Sequence, residues 1–411
     1  MITRVLSYHS VGHYCRHAAV AVAMLALLTG CAPARHFEAA LVLQDFVAAR
    51  GDSRLKQTTA EPQRVAITYT VTGRLRQGDL YLPGELKLSE LANCSATKQC
   101  PRAAIVAVPG AVPQGKDDPR FVTFVTTLAR AGFAVLVPEL AGFRQLRIRP
   151  ADSREIADAF SYVVSRAELA PDGRAGMFAF SYAVGPTILA ALEDDIRQQV
   201  RFIIGLGGYH NLPRAMRFFT TGWFEHAGKW QYLTPDDTGR MVLVYSSLDY
   251  LANVSDRALF EQMVTLRSKD RHADLTPLAA KLSADGWAVY ELAVNDDLAR
   301  FPQLLARLPQ AMQQDIAQLD LAQRDLKALK ARLLLVHGIN DNLIPYPESL
   351  SLAAAVPEGQ ARVFLIHRVL GHVDLRMADL LSWRFWSEDL PDLWRLWRVI
   401  DLLLAQRGEA S

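Results

Sequence analysis

The chain has 411 residues, half of them apolar, and its 45 basic and 43 acidic side chains leave a formal net charge of +2 at pH 7. A chain of this length and hydrophobicity can bury a large core, which is typical of an enzyme-sized globular protein. The balance of charge and the lack of a basic run, a zinc-finger spacing or a phosphate loop argue against nucleic-acid binding.

Residues 1–30 have the pattern of a targeting segment that is not part of the fold. Arg4 and Arg16 supply a positive start, and residues 18–28 form an apolar stretch too short to cross a bilayer comfortably. The following residues 28–31 (LTGC) resemble a bacterial lipobox. That resemblance implies cleavage before Cys31, which becomes the lipidated first residue. An ordinary cleaved signal or an uncleaved anchor is the alternative.

The lipobox implies an exported protein that is anchored to the membrane by its N-terminal lipid and faces the periplasm or the cell exterior. Several acyl chains on one cysteine hold a protein at a membrane, because each buried methylene contributes roughly 0.8 kcal/mol. Ala32 directly after Cys31 is typical of the outer-membrane class if the organism is Gram-negative.

Cysteine usage agrees with export. Cys15 leaves with the signal and Cys31 carries the lipid, so Cys94 and Cys100 remain on either side of a short polar loop. In an oxidising compartment we expect these two to form a disulfide worth roughly 2 kcal/mol. A metal site at this pair lacks a second pair of ligands, and we predict no metal.

Residues 31–64 predict a helix and a linker, and residues 65–82 predict the edge of a sheet. Residues 31–64 read as an anchor-proximal helix over 38–49 followed by a linker. Residues 65–72 and 79–82 alternate apolar and polar side chains, and they predict an antiparallel strand pair with residues 73–78 between them.

From residue 103 the pattern changes to short apolar runs separated by helical segments. These runs predict strands over 103–108, 134–137, 175–180, 202–206, 331–336 and 362–366. Alternation of strands and helices is the signature of an α/β fold with a mostly parallel, doubly wound sheet. We assign residues 65–210 and 331–411 to this core.

Residues 211–330 are too long for one crossover helix and interrupt the alternation, so we expect a cap inserted over the active-site edge of the sheet. The cap is largely helical by pattern, with one long helical stretch over residues 301–330. Trp223, Phe224, Trp230 and Tyr232 are candidate pocket residues, although packing within the cap explains each of them as well.

Ser181 lies between the apolar run 175–180 and an apolar helical segment over 182–192. A strand, a sharp turn and a helix would lift the hydroxyl out of the sheet and aim the first N–H groups of the helix at a nearby oxyanion. A serine hydroxyl needs an imidazole to take its proton and a carboxylate to orient that imidazole. A plain helix N-cap is the alternative role.

Asp341 and His372 are the candidates for those two partners. Asp341 follows the predicted strand 331–336 and the break at His337-Gly338, and His372 follows the strand 362–366 and the hinge residue Gly371. Both therefore reach the carboxyl edge of the sheet, where open α/β sheets bind ligands. Asp249 remains an alternative acid if residues 241–245 form a core strand.

The chain order of Ser181, Asp341 and His372 resembles the α/β-hydrolase family over roughly residues 65–405. The resemblance implies that Ser181 is the nucleophile, Asp341 the acid and His372 the base. It also implies an oxyanion hole made by the N–H groups of Tyr182 and Ala111.

Two motifs depart from the pattern of that family. The glycines of the G-x-S-x-G elbow are Ala179 and Ala183 here, and the His-Gly of many oxyanion loops is Pro109-Gly110. A methyl group is tolerable at each elbow position if the neighbouring helix and strand lie slightly farther away.

The function expected from this constellation is hydrolysis of a carboxylic ester or related acyl compound through an acyl-enzyme, with no cofactor. A peptidase on the same fold shares the triad and is not excluded. A binding lipoprotein that has lost turnover is the third possibility, because of the two elbow alanines. Oligomeric state and substrate identity do not follow from the sequence.

Overall fold

The computed structural model of the protein describes residues 33–84, 86, 89, 91, 100–270, 272–372 and 383–407. Its centre is an eight-stranded sheet, and a separate two-stranded sheet lies outside it. The strands are β1 (Gln63–Val71), β2 (Arg74–Leu82), β3 (Ala103–Val108), β4 (Phe133–Pro138), β5 (Ala175–Phe180), β6 (Val200–Leu206), β7 (Trp223–His226), β8 (Lys229–Tyr232), β9 (Arg332–Gly338) and β10 (Ala361–Ile366).

The main sheet has the order β1-β2-β4-β3-β5-β6-β9-β10. Strand β2 pairs antiparallel with both β1 and β4, and every other neighbouring pair in this sheet is parallel. The chain order reverses at β3, which is the topology of a doubly wound sheet. The predicted fold class and the predicted core strands are confirmed.

The edge hairpin is tighter than the sequence predicted. Thr72 and Gly73 both have positive φ angles and form a two-residue turn, so β2 begins at Arg74 instead of Asp79. Two consecutive left-handed residues match the twist of an antiparallel hairpin. The polar residues 74–78, predicted as a loop, therefore extend the edge strand.

Fifteen helices are described, and several of them are short. They are α1 (Pro33–Ala48), α2 (Arg54–Thr58), α3 (Pro119–Arg130), α4 (Ala141–Arg144), α5 (Ala151–Val164), α6 (Val184–Ala191), α7 (Leu212–Thr221), α8 (Thr238–Ser247), α9 (Val254–Lys269), α10 (Thr276–Ala279), α11 (Ala284–Ala293), α12 (Phe301–Ala306), α13 (Gln310–Leu319), α14 (Pro347–Ala355) and α15 (Leu390–Leu404).

Helices cover both faces of the sheet, because the buried strands are apolar on both sides. Ile105 and Ala107 of β3 pack with α1, α3 and α15, whereas Val106 and Val108 pack with α5, α6 and the insertion between β6 and β9. This alternation along one strand creates two cores, one on each face.

The segment before β1 packs on the protein body, although the sequence predicted a helix followed by a linker. Asp45 of α1 is fully buried and accepts hydrogen bonds from the hydroxyls of Ser53 at 2.5 Å and Thr127 at 2.6 Å. The indole N–H of Trp397 donates to the carbonyl of His36 at 3.1 Å. These contacts tie α1 to α3 and α15 and make it a layer of the core.

The insertion between β6 and β9 is mainly helical, with the β7–β8 hairpin near its start. The helical stretch predicted over 301–330 is not continuous. It is divided into α12, α13 and two short 3₁₀ turns, since Pro309 lies between the two α-helices and cannot donate a backbone hydrogen bond. The cap boundaries 211 and 330 stay a prediction.

Within the described ranges, the helices are all too short or too polar to cross a membrane.

Candidate active site

Ser181 occupies a strained turn between a strand and a helix. It follows the last residue of β5 and begins a 3₁₀ turn, Ser181–Ala183, that leads into α6. Its φ angle is +56°, a conformation that residues other than glycine rarely adopt. Strain of this kind persists where surrounding structure enforces it and is frequent at catalytic positions.

The two elbow alanines are accommodated by glycines elsewhere. Ala179 and Ala183 are fully buried. Gly208, just after β6, lies against the first residue of α6, and a methyl carbon there would be 2.5 Å from Cβ of Val184. A methyl carbon on Gly205 would be 3.0 Å from the same side chain. The neighbouring strand therefore provides the close approach that elbow glycines usually provide.

Asp341 lies on the loop after β9 and is held in one orientation. Its Oδ1 accepts the backbone N–H groups of Leu343 at 2.8 Å and Ile344 at 3.0 Å. Its Oδ2 lies 2.7 Å from Nδ1 of His372. Because an ionised carboxylate only accepts, Nδ1 of His372 carries the proton and Nε2 is left as an acceptor. This is the tautomer that a general base requires.

Electrostatics keep the Asp341 carboxyl ionised. Burial alone would raise the pKa of this carboxyl, but the adjacent rings of His372 and His337 outweigh burial and hold the pKa below its ordinary value. An ionised carboxylate at this place stabilises the imidazolium that forms when His372 takes a proton.

His337 is a second imidazole beside the acid, and the sequence analysis did not assign it a role. It is fully buried at the end of β9, with Nε2 3.3 Å from Oδ2 of Asp341. Its Nε2–H donates to the carbonyl of Ile344 at 2.8 Å, and the Ser349 hydroxyl lies 2.7 Å from its Nδ1. The only sequence signal for these contacts was the position of His337 directly before the loop that carries Asp341.

Two glycines make room for Asp341 and His372. A methyl carbon on Gly338 would lie 2.5 Å from the carbonyl oxygens of both Leu370 and Gly371. One on Gly207, whose φ is +65°, would lie 3.2 Å from Oδ2 of Asp341 and 3.3 Å from the His372 ring. Any other residue at these positions would push the loop that carries His372 away from the sheet.

Tyr182 and Ala111, the predicted oxyanion-hole residues, both lie near Ser181. Tyr182 is the first residue after Ser181, so its N–H lies at the beginning of the helical turn, where no preceding carbonyl accepts it. Ala111 follows β3, the strand beside β5, and it lines the same cavity as Ser181. No acceptor in the described part of the chain takes the Ala111 N–H.

Other sequence candidates lie elsewhere. Residues 241–245 belong to helix α8 and not to a core strand, and Asp249 pairs with Arg147 at 2.5 Å. Asp249 is therefore not the partner of His372. Cys31 and Cys94 lie outside the described residues, so lipidation and the disulfide to Cys100 stay predictions. Among the residues that the structure describes, no cluster of His, Cys, Asp or Glu is arranged to hold a metal ion.

Ser181 and His372 open into one cavity of about 1140 Å³. Of the described residues of the insertion, only Leu233, Thr234, Asp236 and Thr238 contribute to its wall. The four aromatic residues proposed from the sequence as pocket residues, Trp223, Phe224, Trp230 and Tyr232, do not line it.

Comparison with known proteins reveals a fold relationship without close sequence similarity. No protein-family model and no curated protein matches the chain. The structure is similar to that of an inferred hydrolase from Legionella pneumophila, at 12% identity and a TM-score of 0.51, over 90% of this chain and 96% of that one.

Two further solved structures are similar at lower TM-scores. A rice cell wall degrading esterase from Xanthomonas oryzae is 14% identical with a TM-score of 0.47, over 79% of this chain and 87% of that one. An acylaminoacyl peptidase from Pyrococcus horikoshii is 11% identical with a TM-score of 0.41, over 85% of this chain. The match spans only 42% of the length of that peptidase.

Proposed function

The chain has the α/β-hydrolase fold, and we propose that it is a serine hydrolase that cleaves a carboxylic ester or related acyl bond. Ser181 is the nucleophile, His372 the general base and acid, and Asp341 the residue that orients His372. The reaction proceeds through an acyl-enzyme on Ser181 and uses no cofactor.

In the first half of this mechanism, Nε2 of His372 takes the Ser181 hydroxyl proton while Oγ attacks the acyl carbon. The tetrahedral oxyanion accepts hydrogen bonds from the N–H groups of Tyr182 and Ala111. His372 then gives its proton to the departing alcohol. In the second half a water molecule loses a proton to His372 and attacks the acyl-enzyme, and His372 returns that proton to Oγ of Ser181 as the acid is released. Preorganised N–H donors are valuable here because they need no reorganisation as the negative charge develops.

One observation carries the proposal. A buried carboxylate, fixed by two backbone N–H groups, is 2.7 Å from Nδ1 of His372. The same His372 shares a cavity with a serine that has a φ angle of +56° at a strand-to-helix turn. A helix-capping serine needs neither the strained backbone nor an oriented histidine.

The direct test is labelling of the full chain with a fluorophosphonate probe, which reacts with activated serines. We expect stoichiometric labelling of the wild type, no labelling of Ser181→Ala and greatly slowed labelling of His372→Ala. Ser247→Ala is the matched control, since Ser247 is also buried but donates to the carbonyl of Val244 within helix α8. Labelling that survives in Ser181→Ala would show that the nucleophile is wrong.

A parallel panel of ester and peptide substrates then defines the bond that is cleaved. Turnover of esters alone supports the proposed activity, whereas turnover of peptides with little ester activity would indicate a peptidase. A well-folded wild type that does not react with the probe would indicate a binding protein that has lost turnover.

We also propose that Cys31 is the lipidated N-terminus of an exported protein, consistent with the lipobox-like residues 28–31. Labelled palmitate fed to expressing cells should enter the wild type but not Cys31→Ala, and only the wild type should sediment with membranes. Incorporation of palmitate into Cys31→Ala would contradict this assignment.

A further inference from the structure

The cavity at Ser181 extends far beyond the reacting groups. Its volume, about 1140 Å³, exceeds the roughly 300–1,000 Å³ that is ordinary for small-molecule sites. From the catalytic edge it continues across the face of the sheet that carries α1, α3 and α15. We call this continuation the acyl chamber and define it by the lining residues Phe46, Phe124, Phe178, Ile204, Leu396 and Ile400.

The chamber has walls from four parts of the chain. Phe178 and Ile204 from β5 and β6 form its floor on the sheet. Phe124 of α3 contacts both Phe178 and Phe46 of α1, with ring centroids 4.5 and 4.8 Å apart. Leu396 and Ile400 of α15, one helical turn apart, complete the wall. All six of these side chains are hydrocarbon.

Polar side chains instead gather where the cavity meets the catalytic edge. Asn340 and Asn342 flank the acid on the loop after β9. Asp236 is hydrogen-bonded through its N–H to the carbonyl of Asn342 at 2.8 Å, so this part of the insertion lies at the same edge. The cavity thus joins polar side chains at the catalytic edge to a mainly apolar wall, which matches a molecule with a polar reacting group and a hydrocarbon tail.

We propose that the acyl chamber holds the long unbranched acyl chain of the substrate, so that the enzyme acts on long-chain acyl esters such as those of membrane lipids. This inference rests on the proposed serine hydrolase function. The scissile carbonyl lies at Ser181 and the chain enters the space between the sheet and helices α1, α3 and α15. The chain-length preference is therefore set on the face of the sheet away from α6, and not by the insertion.

A long chain is favoured over a short one because each additional methylene removed from water improves transition-state binding. The gain is about 0.8 kcal/mol per methylene, or roughly fourfold in kcat/KM, until the chamber is filled. A short acyl group would leave most of the apolar wall without a partner. We expect kcat/KM to rise through the series of p-nitrophenyl esters from acetate to palmitate.

Two matched variants on α15 test this location. Leu396 lines the chamber, whereas Leu402 on the same helix does not, and both are partly exposed. Leu396→Trp should lower the ratio of kcat/KM for the palmitate ester to that for the butyrate ester by about fifteenfold, the effect of losing two methylenes. Leu402→Trp should leave the ratio unchanged. Equal ratios in the two variants would overturn the proposal.

A second experiment does not depend on turnover. Full-length Ser181→Ala protein is incubated with a palmitate that carries a photoreactive diazirine near its methyl end, and cross-linked peptides are identified by mass spectrometry. Cross-links to residues 43–50, 121–124 or 396–403 support the chamber. Cross-links confined to the insertion would overturn it. It would also be overturned if excess unlabelled palmitate failed to reduce the cross-linking, because the labelling would then be non-specific.

The two experiments separate failure of the inference from failure of the proposed function. If the fluorophosphonate probe does not label Ser181 but palmitate cross-links to the chamber, the protein binds acyl chains without the proposed catalysis. If the probe labels Ser181 and short esters are turned over, but palmitate neither binds nor reacts, the catalytic proposal stands and the acyl chamber is wrong.

Discussion

Replacing Asp341 by asparagine should abolish most activity while leaving the shape of the site almost unchanged. Oδ1 of Asp341 accepts two backbone N–H groups, from Leu343 at 2.8 Å and Ile344 at 3.0 Å. In Asp341→Asn the carboxamide oxygen must keep that place, because the amide nitrogen cannot accept from N–H donors. The NH₂ group then replaces Oδ2 and faces Nδ1 of His372, which lies 2.7 Å from that oxygen.

Two donors cannot share a hydrogen bond, so His372 must change its tautomer. Nδ1 becomes the acceptor for the new amide, and the proton moves to Nε2, the nitrogen that should receive the Ser181 proton. A triad with the wrong tautomer loses about 10⁴ in kcat. That loss corresponds to about 5 kcal/mol of transition-state stabilisation.

The assay is kcat for an activated ester, measured alongside the rate of fluorophosphonate labelling, and both should fall by the same factor. Asp249→Asn is the matched control. Asp249 was the alternative acid from sequence, and it pairs with Arg147 near the surface. Its replacement should change kcat by less than about twofold. If Asp341→Asn kept activity within about tenfold of the wild type, the assigned roles of Asp341 and His372 would be refuted.

Three further substitutions probe the surroundings. Gly338→Ala would place its methyl carbon 2.5 Å from two carbonyl oxygens of the loop that carries His372, so kcat should fall about tenfold or more with unchanged circular dichroism; full activity would contradict this. His337→Phe leaves the Ile344 carbonyl without its donor and should lower the free energy of unfolding in urea by about 2 kcal/mol, whereas an unchanged midpoint would count against a supporting role. Burial, only partly opposed by Arg149, raises the pKa of the Asp152 carboxyl to about 6. The folded protein therefore binds this proton more tightly than the unfolded chain does, and stability is lost as pH rises from about 4 to about 6. Asp152→Asn should raise the free energy of unfolding at pH 7.5 by roughly 1–3 kcal/mol and change it little near pH 4; equal effects at both pH values would refute this reasoning.

The strands could be predicted from the sequence because internal parallel strands are short apolar runs between turns. The run 103–108 and the run 175–180 have the same bounds in the structure, as β3 and β5. Helix ends were harder to predict, since they depend on single residues that interrupt a helix. Pro309 divides a stretch whose apolar spacing alone indicates a continuous helical pattern. The position of Ser181 between strand and helix was readable, but its φ of +56° was not.

The surroundings of the candidate site were harder to predict because they depend on contacts between distant segments. The glycines at 205, 207 and 208 lie at the end of the predicted strand 202–206 and just after it, where the sequence alone assigns them no role. In the fold, Gly205 and Gly208 make room for Val184, and Gly207 makes room for Asp341 and His372. A glycine that permits close approach has no local signature of its own, since its partner lies on another element.

The proposed acyl chamber was equally hard to predict, because its walls come from segments that are distant in the sequence. Helix α1 is locked to α3 by the buried Asp45 and to α15 by the Trp397 indole, and it encloses the chamber between those two helices. In the sequence, Cys31 is two residues before Pro33, the first residue of α1. A lipid at Cys31 would therefore hold this wall of the chamber near the membrane. An enzyme whose substrates carry long acyl chains would benefit from that placement, because the chain would have to cross little water between the bilayer and the apolar wall. If both proposals hold, the lipid at Cys31 would attach the protein to the membrane, and α1 would contribute part of the site that the membrane lipids enter.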